Sequence, residues 1–223
     1  MWEHRELFRA ELISVEQSIG VAQSNPGLTV FSDAADATAS GASGDSNAIL
    51  KALVASEFDG RCLVPIVDQP AVEQAVAAGE GARIQVALGG SLDPGRFEPL
   101  ETEVEVLRIY DGHFTYENGL PGYGGRIAIV RLQNIDILMV ERSLFFVGQQ
   151  VFVSHGCDPS DYRIVVVKSP NGFRPYYDSI ASAICCVDVV GSTSANLQSL
   201  PYKKVARPIF PLDDVQLELL EEK

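Results

Sequence analysis

A loop rich in glycine, serine and aspartate, Asp33 to Asn47, opens directly into a predicted helix and is the most suggestive segment chemically. A helix N-terminus presents unpaired backbone N–H groups and a positive dipole end, so it attracts carboxylates and phosphates. Glycines let the backbone approach a ligand, and nearby carboxylates can orient hydroxyl groups or a metal-bound water. The candidate binding residues here are Asp33, Asp36, Ser40, Gly41, Gly44, Asp45, Ser46 and Asn47.

A second polar segment, residues 168–174, follows an apolar run that is typical of a buried strand. In open α/β sheets, ligands collect at the carboxyl ends of the strands. Lys168 and Arg174 are the candidates for holding an anionic group there, and Ser169 and Asn171 complete the predicted binding set. If both segments leave parallel strands on one rim, they would share a site.

Both segments also have a purely structural interpretation. The loop would then be a surface connection in which Asp45 or Ser46 caps the following helix. The second segment would be a turn at Asn171 and Gly172 whose basic neighbours pair with surface acids. Neither a Walker lysine nor a GxGxxG spacing is present, so motif logic alone leaves both interpretations open.

Metal-ligating and nucleophilic patterns are weak in this sequence. The histidines are isolated and form no HxH or HExxH pattern, and no GxSxG elbow occurs. The cysteines match neither a zinc knuckle nor CxxC, which predicts reduced, buried thiols in strands. No catalytic residue and no metal ligand is therefore assigned. The histidines are His4, His113 and His155, and the cysteines are Cys62, Cys157, Cys185 and Cys186.

Apolar periodicity predicts the elements that position the two loops. Residues 1–27 contain two short helices, the second opened by a capping box of Ser14 and Gln17. Residues 28–90 alternate strands and helices, which predicts a βαβ core with a parallel component. The predicted strands are 28–31, 61–67 and 83–88, and the predicted helices are 46–58 and 70–78.

The rest of the chain changes its pattern twice. Residues 100–142 switch to a period of two, which predicts an antiparallel β-meander inserted into the α/β order. Residues 159–190 return to the βαβ theme with a capped turn, a strand, a helix at 173–182 and a second strand. Residues 200–223 are proline-rich at their start, which predicts an extended surface tail whose last acidic residues fray. Together these patterns predict a single α/β domain with a mixed sheet.

The bulk properties limit the partners. The net charge of −13 opposes attraction to nucleic-acid phosphates or anionic lipid. No apolar run approaches the length of a membrane span, and the charged, amphipathic N-terminus is unlike a signal peptide. We therefore expect a cytoplasmic protein with neither a nucleic-acid nor a membrane partner.

Four segments resemble the C-terminal domain of microcystinase C (MlrC)-type metallopeptidases, and the resemblance runs in register from about Trp2 to Asp213. They read SDAADATASGASGDSNAILKAL, LGG at 88–90, YRIVVVKSPNGFRPYY and LPYKKVARPIFPLD. The GDS of the family's loop is retained, whereas residues 37–40 replace its usual proline and glycines. Gly172 stands where the family often has a histidine, so no role tied to that histidine carries over.

The resemblance implies a zinc-dependent peptidase or amide hydrolase whose metal ligands lie in a larger N-terminal domain. We therefore expect no cofactor in this chain alone. Its partner would be the N-terminal metallopeptidase domain or subunit, which would bind the zinc. The substrate would be a small peptide or amide. The chain would be a detached or truncated C-terminal portion. Two alternatives are a non-catalytic binding or assembly module for a small anionic ligand or protein partner, and an inactive fragment.

Overall fold

The computed structural model describes residues 2–215, which contain ten strands and five α-helices. The strands are β1 (Thr29–Ser32), β2 (Cys62–Val67), β3 (Arg83–Leu88), β4 (Leu100–Tyr110), β5 (His113–Thr115), β6 (Pro121–Tyr123), β7 (Ile127–Leu132), β8 (Ile135–Val140), β9 (Ile164–Val167) and β10 (Ala183–Cys186). The helices are α1 (Val15–Ser24), α2 (Ala48–Ala55), α3 (Gln69–Ala78), α4 (Gln150–Val153) and α5 (Arg174–Tyr177). The fraying predicted for the last acidic residues, Glu218 to Glu222, concerns positions outside the described residues.

Eight strands form one mixed sheet in the order β10-β1-β9-β2-β8-β7-β4-β3, and β5 and β6 form a separate hairpin. The first five strands of that order are parallel, and the pairs from β8 to β3 are antiparallel. The predicted α/β fold with a mixed sheet is confirmed. The predicted meander is present as well, and its strands β4, β7 and β8 belong to the main sheet.

Helices cover both faces of the sheet because its central strands are apolar on both sides. All residues of β2, β8 and β9 are buried. On one face, α1, α2 and α3 contribute Ile19, Leu50 and Val72 to the core. On the other face, α4 and α5 contribute Phe152 and Tyr177.

The N-terminal capping box is confirmed. The backbone N–H of Gln17 donates to Ser14 Oγ at 3.2 Å, and the backbone N–H of Ser14 donates to Gln17 Oε1 at 3.0 Å. This reciprocal pair satisfies two donors that the first turn of α1 would otherwise leave unpaired. A 3₁₀ helix over Trp2–Phe8 precedes it, so the two predicted helices are both present.

Strand β3 is placed differently from the βαβ prediction. It runs antiparallel beside β4 at the far edge of the sheet, with Arg83 opposite Glu105 and Leu88 opposite Leu100. β7 pairs with the opposite edge of β4, from Glu105 to Tyr110. The turn after β3 is anchored at the start of α3, where the N–H of Gly89 donates to Asp68 at 2.7 Å.

The C-terminal third is less helical than predicted. The helix expected over 173–182 is the single turn α5, and α4 is a short helix that the periodicity does not predict. Residues 200–215 contain no helix or strand, as expected for an extended tail. All four cysteines are free thiols, and three of them lie in strands, whereas Cys157 lies in a loop. Within residues 2–215, no helix has the length and apolar character that crossing a membrane requires.

Candidate functional site

The two predicted loops leave adjacent parallel strands at the same edge of the sheet. β1 and β9 are neighbours, and the chain leaves β1 through α2 toward β2 but leaves β9 through α5 toward β10. These connections run in opposite directions, which makes the β1–β9 boundary a topological switch point. A crevice at such a point is where open α/β sheets bind ligands.

Pro65 ends the pairing of β2 with β9, which leaves this side of β2 free to pair with the loop. The ladder between β2 and β9 is limited to two pairs, Cys62 with Ile164 and Leu63 with Val165. Alternate residues of a strand face opposite neighbours, so Pro65 would be the next donor toward β9, but proline has no N–H. Two residues later the N–H of Val67 donates to the carbonyl of Gly44 at 3.0 Å. The glycine-rich loop therefore takes the place of a strand partner beside β2.

A buried lysine joins the two loops. Lys168 Nζ lies 2.6 Å from Asp36 Oδ2 and 3.4 Å from Asp33 Oδ2, and each of the three side chains is at most 2% exposed. Burial alone would lower the pKa of Lys168, but the two carboxylates outweigh it and raise that pKa, so the ammonium stays charged. Burial raises the pKa of Asp33. The anionic groups that Lys168 holds thus belong to this chain.

Asp36 shapes the glycine-rich loop. Its carboxylate accepts the N–H groups of Gly44 at 2.8 Å and Ser46 at 2.9 Å. The N–H of Asp36 itself donates to Asp33 Oδ1 at 3.1 Å. Two of the N–H groups that we expected to cradle a ligand are therefore bound to an internal carboxylate.

The prediction that Asp45 or Ser46 is the N-cap of α2 is wrong. The N-cap of α2 is Asn47, whose side chain makes no capping hydrogen bond, while Ser46 Oγ accepts the N–H of Ala48 at 3.4 Å. Asp45 Oδ2 instead accepts the N–H groups of Leu92 at 2.7 Å and Asp93 at 2.9 Å.

Asn47 completes the link to the segment after β3. Its Nδ2 donates to the carbonyls of Leu88 and Glu98, each at 2.8 Å. Asp45 and Asn47 thus tie the start of α2 to residues 88–98. This long-range contact could not be predicted from local sequence.

The other predicted residues divide into buried and exposed groups. Ser169 is buried and accepts the N–H of Gly172 at its Oγ at 2.9 Å. Arg174 is exposed and lies 3.7 Å from Asp178, as the structural interpretation expects. Ser40, Gly41 and Asn171 are also exposed. Asn171 and Arg174 line a cavity of about 530 Å³ that extends beside β10, and Ser40 and Gly41 are not part of it.

The described residues do not fit a zinc ion. Residues 2–215 contain no group of three or more histidine, cysteine, aspartate or glutamate side chains that could hold a metal. The paired carboxylates of Asp33 and Asp36 already share a cation, the ammonium of Lys168. Zinc sites need three or four nitrogen, sulfur or oxygen ligands, so this cluster has too few free donors.

The ion pair of Lys168 is a feature that the sequence interpretation missed. A sequence cue was present, because Lys168 follows directly on four apolar residues of a fully buried strand. A lysine carried into a core needs a buried counterion. The partner could not be named from sequence, since Asp36 is separated from it by 132 positions.

Comparison with known proteins places these loops in a family. The sequence profile described as MlrC C-terminus matches residues 31–204. Over 186 residues, 83% of this chain, the sequence is 25% identical to Microcystinase C of Sphingomonas sp., of which the match covers 36%. The fold resembles the crystal structure of a metallopeptidase candidate from Mesorhizobium sp. BNC1, with a TM-score of 0.84 and 25% identity. That likeness covers 97% of this chain and 44% of the other. The chain thus spans less than half the length of both relatives.

Proposed function

From the fact that the chain belongs to the MlrC C-terminus family and is a peptidase-associated domain, we propose that it is the accessory, substrate-binding portion of an MlrC-like zinc metallopeptidase. Its reaction would be hydrolysis of a peptide or amide bond. The zinc and its ligands would belong to an N-terminal metallopeptidase portion or subunit, which is the partner of this chain.

One observation carries this division of labour. The chain spans 36% of Microcystinase C and 44% of the structural relative, and residues 2–215 offer no ligand set for a metal. A peptidase that depends on zinc therefore needs ligands from elsewhere. Hydrolysis of an amide also needs an activated water, which a metal supplies by lowering the pKa of a bound water.

The two loops would then act as a preformed rim. Lys168, Asp33 and Asp36 hold the loops at one edge, since all three are buried and bonded to one another. The exposed side chains of Ser40, Asn171 and Arg174 would meet the substrate, with Arg174 positioned to bind a carboxylate. Holding a substrate in a fixed orientation lowers the entropic part of its barrier.

Reconstitution tests this proposal. The chain is purified, mixed with the N-terminal portion of an MlrC-like metallopeptidase, and assayed with a short peptide. We expect activity only in the mixture, with Arg174→Gln raising KM for substrates that carry a free carboxylate. As the control, Arg207→Gln changes another exposed arginine in the tail, and it should leave KM unchanged. Peptidase activity of the chain alone would overturn the proposal.

The internal use of the loop favours a second candidate, a non-catalytic assembly module. The N–H groups of Gly44 and Ser46 are occupied by Asp36, which leaves the loop fewer donors for a ligand. In that case the rim would contact the partner portion and no substrate. Arg174→Gln would then weaken association of the two portions, as measured by sedimentation, without changing KM in the complex that does form.

A further inference from the structure

A second polar cavity lies at the opposite edge of the sheet from the two loops. It has a volume of about 310 Å³ and opens beside the amino ends of β2, β8 and β9. Small-molecule sites in proteins begin at about this size, roughly 300 Å³. Its lining is unusually basic for a chain of net charge −13, because three arginines face one carboxylate there. They are Arg61, Arg108, Arg131 and Asp136.

Two of the arginines are held in place by the buried carboxylate of Asp136. Arg61 Nη2 donates to Asp136 Oδ2 at 2.8 Å, and Arg131 Nε donates to Asp136 Oδ1 at 2.7 Å. Tyr162 donates its hydroxyl to the same carboxylate at 2.8 Å. A guanidinium has five N–H groups, so both arginines keep donors for a further acceptor. Their positions are fixed in advance, which lowers the entropic cost of binding an anion.

Arg108 completes the basic lining without contacting Asp136. Its Nη1 donates to the carbonyl of Leu107 at 2.7 Å and lies 3.9 Å from Glu80. Its side chain is 67% exposed, so it can turn toward a ligand at little cost. Glu80 beside Arg108 and Glu105 near Arg131 offset part of this positive charge, so the cavity relies on the unused N–H donors of the three guanidinium groups to hold an anion.

A buried histidine supplies an acceptor. His155 is 2% exposed, and its Nδ1 lies 2.7 Å from the carbonyl oxygen of Val151. Because a carbonyl only accepts, Nδ1 carries the proton and Nε2 is the acceptor of the neutral ring. Burial lowers the pKa of His155, which keeps the ring neutral at pH 7. Among residues 2–215 the hydrogen bond of this ring is the one at Nδ1, and Nε2 is not among the fully buried atoms that lack a partner, so it keeps some access to solvent.

Gly156 makes room for a further donor at the same wall. Its φ is +75°, and a Cβ at this position would lie 2.8 Å from the hydroxyl oxygen of Tyr110. Tyr110 also lines the cavity, and its ring packs edge-on against His155 with centroids 5.1 Å apart. A side chain at position 156 would displace the tyrosine hydroxyl from the cavity wall.

We propose that this cavity binds hydrogen phosphate, with Arg61, Arg108 and Arg131 donating to its oxygens and His155 Nε2 accepting its P–OH proton. A site with many hydrogen-bond donors and one acceptor favours an anion that carries a proton over anions that carry none. An ionised carboxylate or a sulfate only accepts hydrogen bonds and would leave Nε2 unpaired, whereas phosphate keeps a proton at neutral pH. An acceptor that a bound ligand covers without pairing weakens binding.

The test is calorimetric titration of the full chain with inorganic phosphate and, separately, with sulfate at pH 7. We expect saturable one-to-one binding of phosphate at least tenfold tighter than that of sulfate. Arg108→Gln should weaken phosphate binding at least tenfold without a fold defect, since the side chain is exposed. His155→Asn keeps a donor for the Val151 carbonyl but removes the Nε2 acceptor, so phosphate and sulfate should bind equally.

Arg207→Gln is the matched control, because Arg207 is an exposed arginine of the tail and is not among the residues that line the cavity. It should leave the phosphate titration unchanged. Phosphate binding that Arg174→Gln abolishes and Arg108→Gln leaves intact would place the anion at the loops and overturn the proposal. An absence of saturable phosphate binding up to about 10 mM, where the binding free energy is only about −3 kcal/mol, would overturn it as well.

Discussion

Lys168 shows how one side chain changes the meaning of a candidate site. On sequence grounds it is a ligand-binding cation, yet in the structure it is 1% exposed and forms ion pairs with Asp36 and Asp33. A buried charge is tolerated only with such partners, because its desolvation costs several kcal/mol. Lys168 therefore acts on function through the shape of the loops that it joins.

Removing this lysine tests that role. Lys168→Met should lower the free energy of unfolding by about 3–5 kcal/mol, because two buried carboxylates lose their cation. Arg174→Met removes a cation from an exposed pair and should cost no more than about 1 kcal/mol. Urea unfolding of both variants measures the difference. Equal, small losses would show that Lys168 is not needed for the fold.

The contribution of Asp136 to stability should depend on pH. Burial would raise its pKa, but the hydrogen bonds from Arg131, Arg61 and Tyr162 outweigh burial and lower it. Since the folded-state pKa lies below the unfolded value of about 3.9, its contribution is complete above that pH and is lost as the pH falls further. Asp136→Asn should therefore cost about 2 kcal/mol at pH 7 and progressively less below pH ~4. A pH-independent cost in urea unfolding would contradict this assignment.

At the scale of elements, the glycine-rich loop packs tightly against β2. Gly44 has φ +82°, and a Cβ there would lie 2.5 Å from Val67 Cγ2 and 2.7 Å from Thr38 Cγ2. Gly41 has a similar φ of +93° but open space around its Cα. The two glycines thus separate the cost of a left-handed backbone from the cost of a clash.

Substitution of each glycine measures those two costs. Gly41→Ala should destabilise the fold by about 1 kcal/mol through backbone strain alone. Gly44→Ala should cost about 1–3 kcal/mol more, because Val67 and Thr38 must shift as well. Thermal or urea unfolding compares the pair, and a cost for Gly44→Ala no larger than that for Gly41→Ala would mean that the loop is not tightly packed there.

Asp45 belongs to a second long-range contact. Asp45→Ala should speed amide hydrogen exchange at Leu92 and Asp93, whose N–H groups it accepts, and leave the first turn of α2 unchanged. Faster exchange at the start of α2 instead would show that Asp45 does cap this helix.

These contacts explain which features of the fold and the site could be predicted from the sequence. The period of apolar residues gives nearly every strand and helix to within a few residues, because burial on one face or two is a local pattern. It does not give the edge position of β3, since the apolar pattern of a strand does not specify which strand it pairs with. Nor does it give the burial of Asp33, Asp36 and Asp45, whose partners Lys168 and Leu92 are distant in sequence. The loop's location at the carboxyl ends of the parallel strands was predictable, and its internal bonding was not.

At the scale of the molecule, the sheet presents two polar edges with different contents. The carboxyl edge carries loops whose charges are mutually satisfied, and the amino edge carries arginines with unused donors. The family relationship concerns a peptidase, whereas residues 2–215 contain no metal-ligand cluster. We therefore propose that this chain positions the substrate and that its partner supplies the metal.

Zinc content is the most direct measurement of that assignment. The purified chain is dialysed against trace zinc and analysed by mass spectrometry, alone and after mixing with the N-terminal portion of an MlrC-like metallopeptidase. The account predicts far less than one zinc per chain alone and stoichiometric zinc with peptidase activity in the mixture. One tightly held zinc per chain, together with peptide hydrolysis by the chain alone, would contradict it.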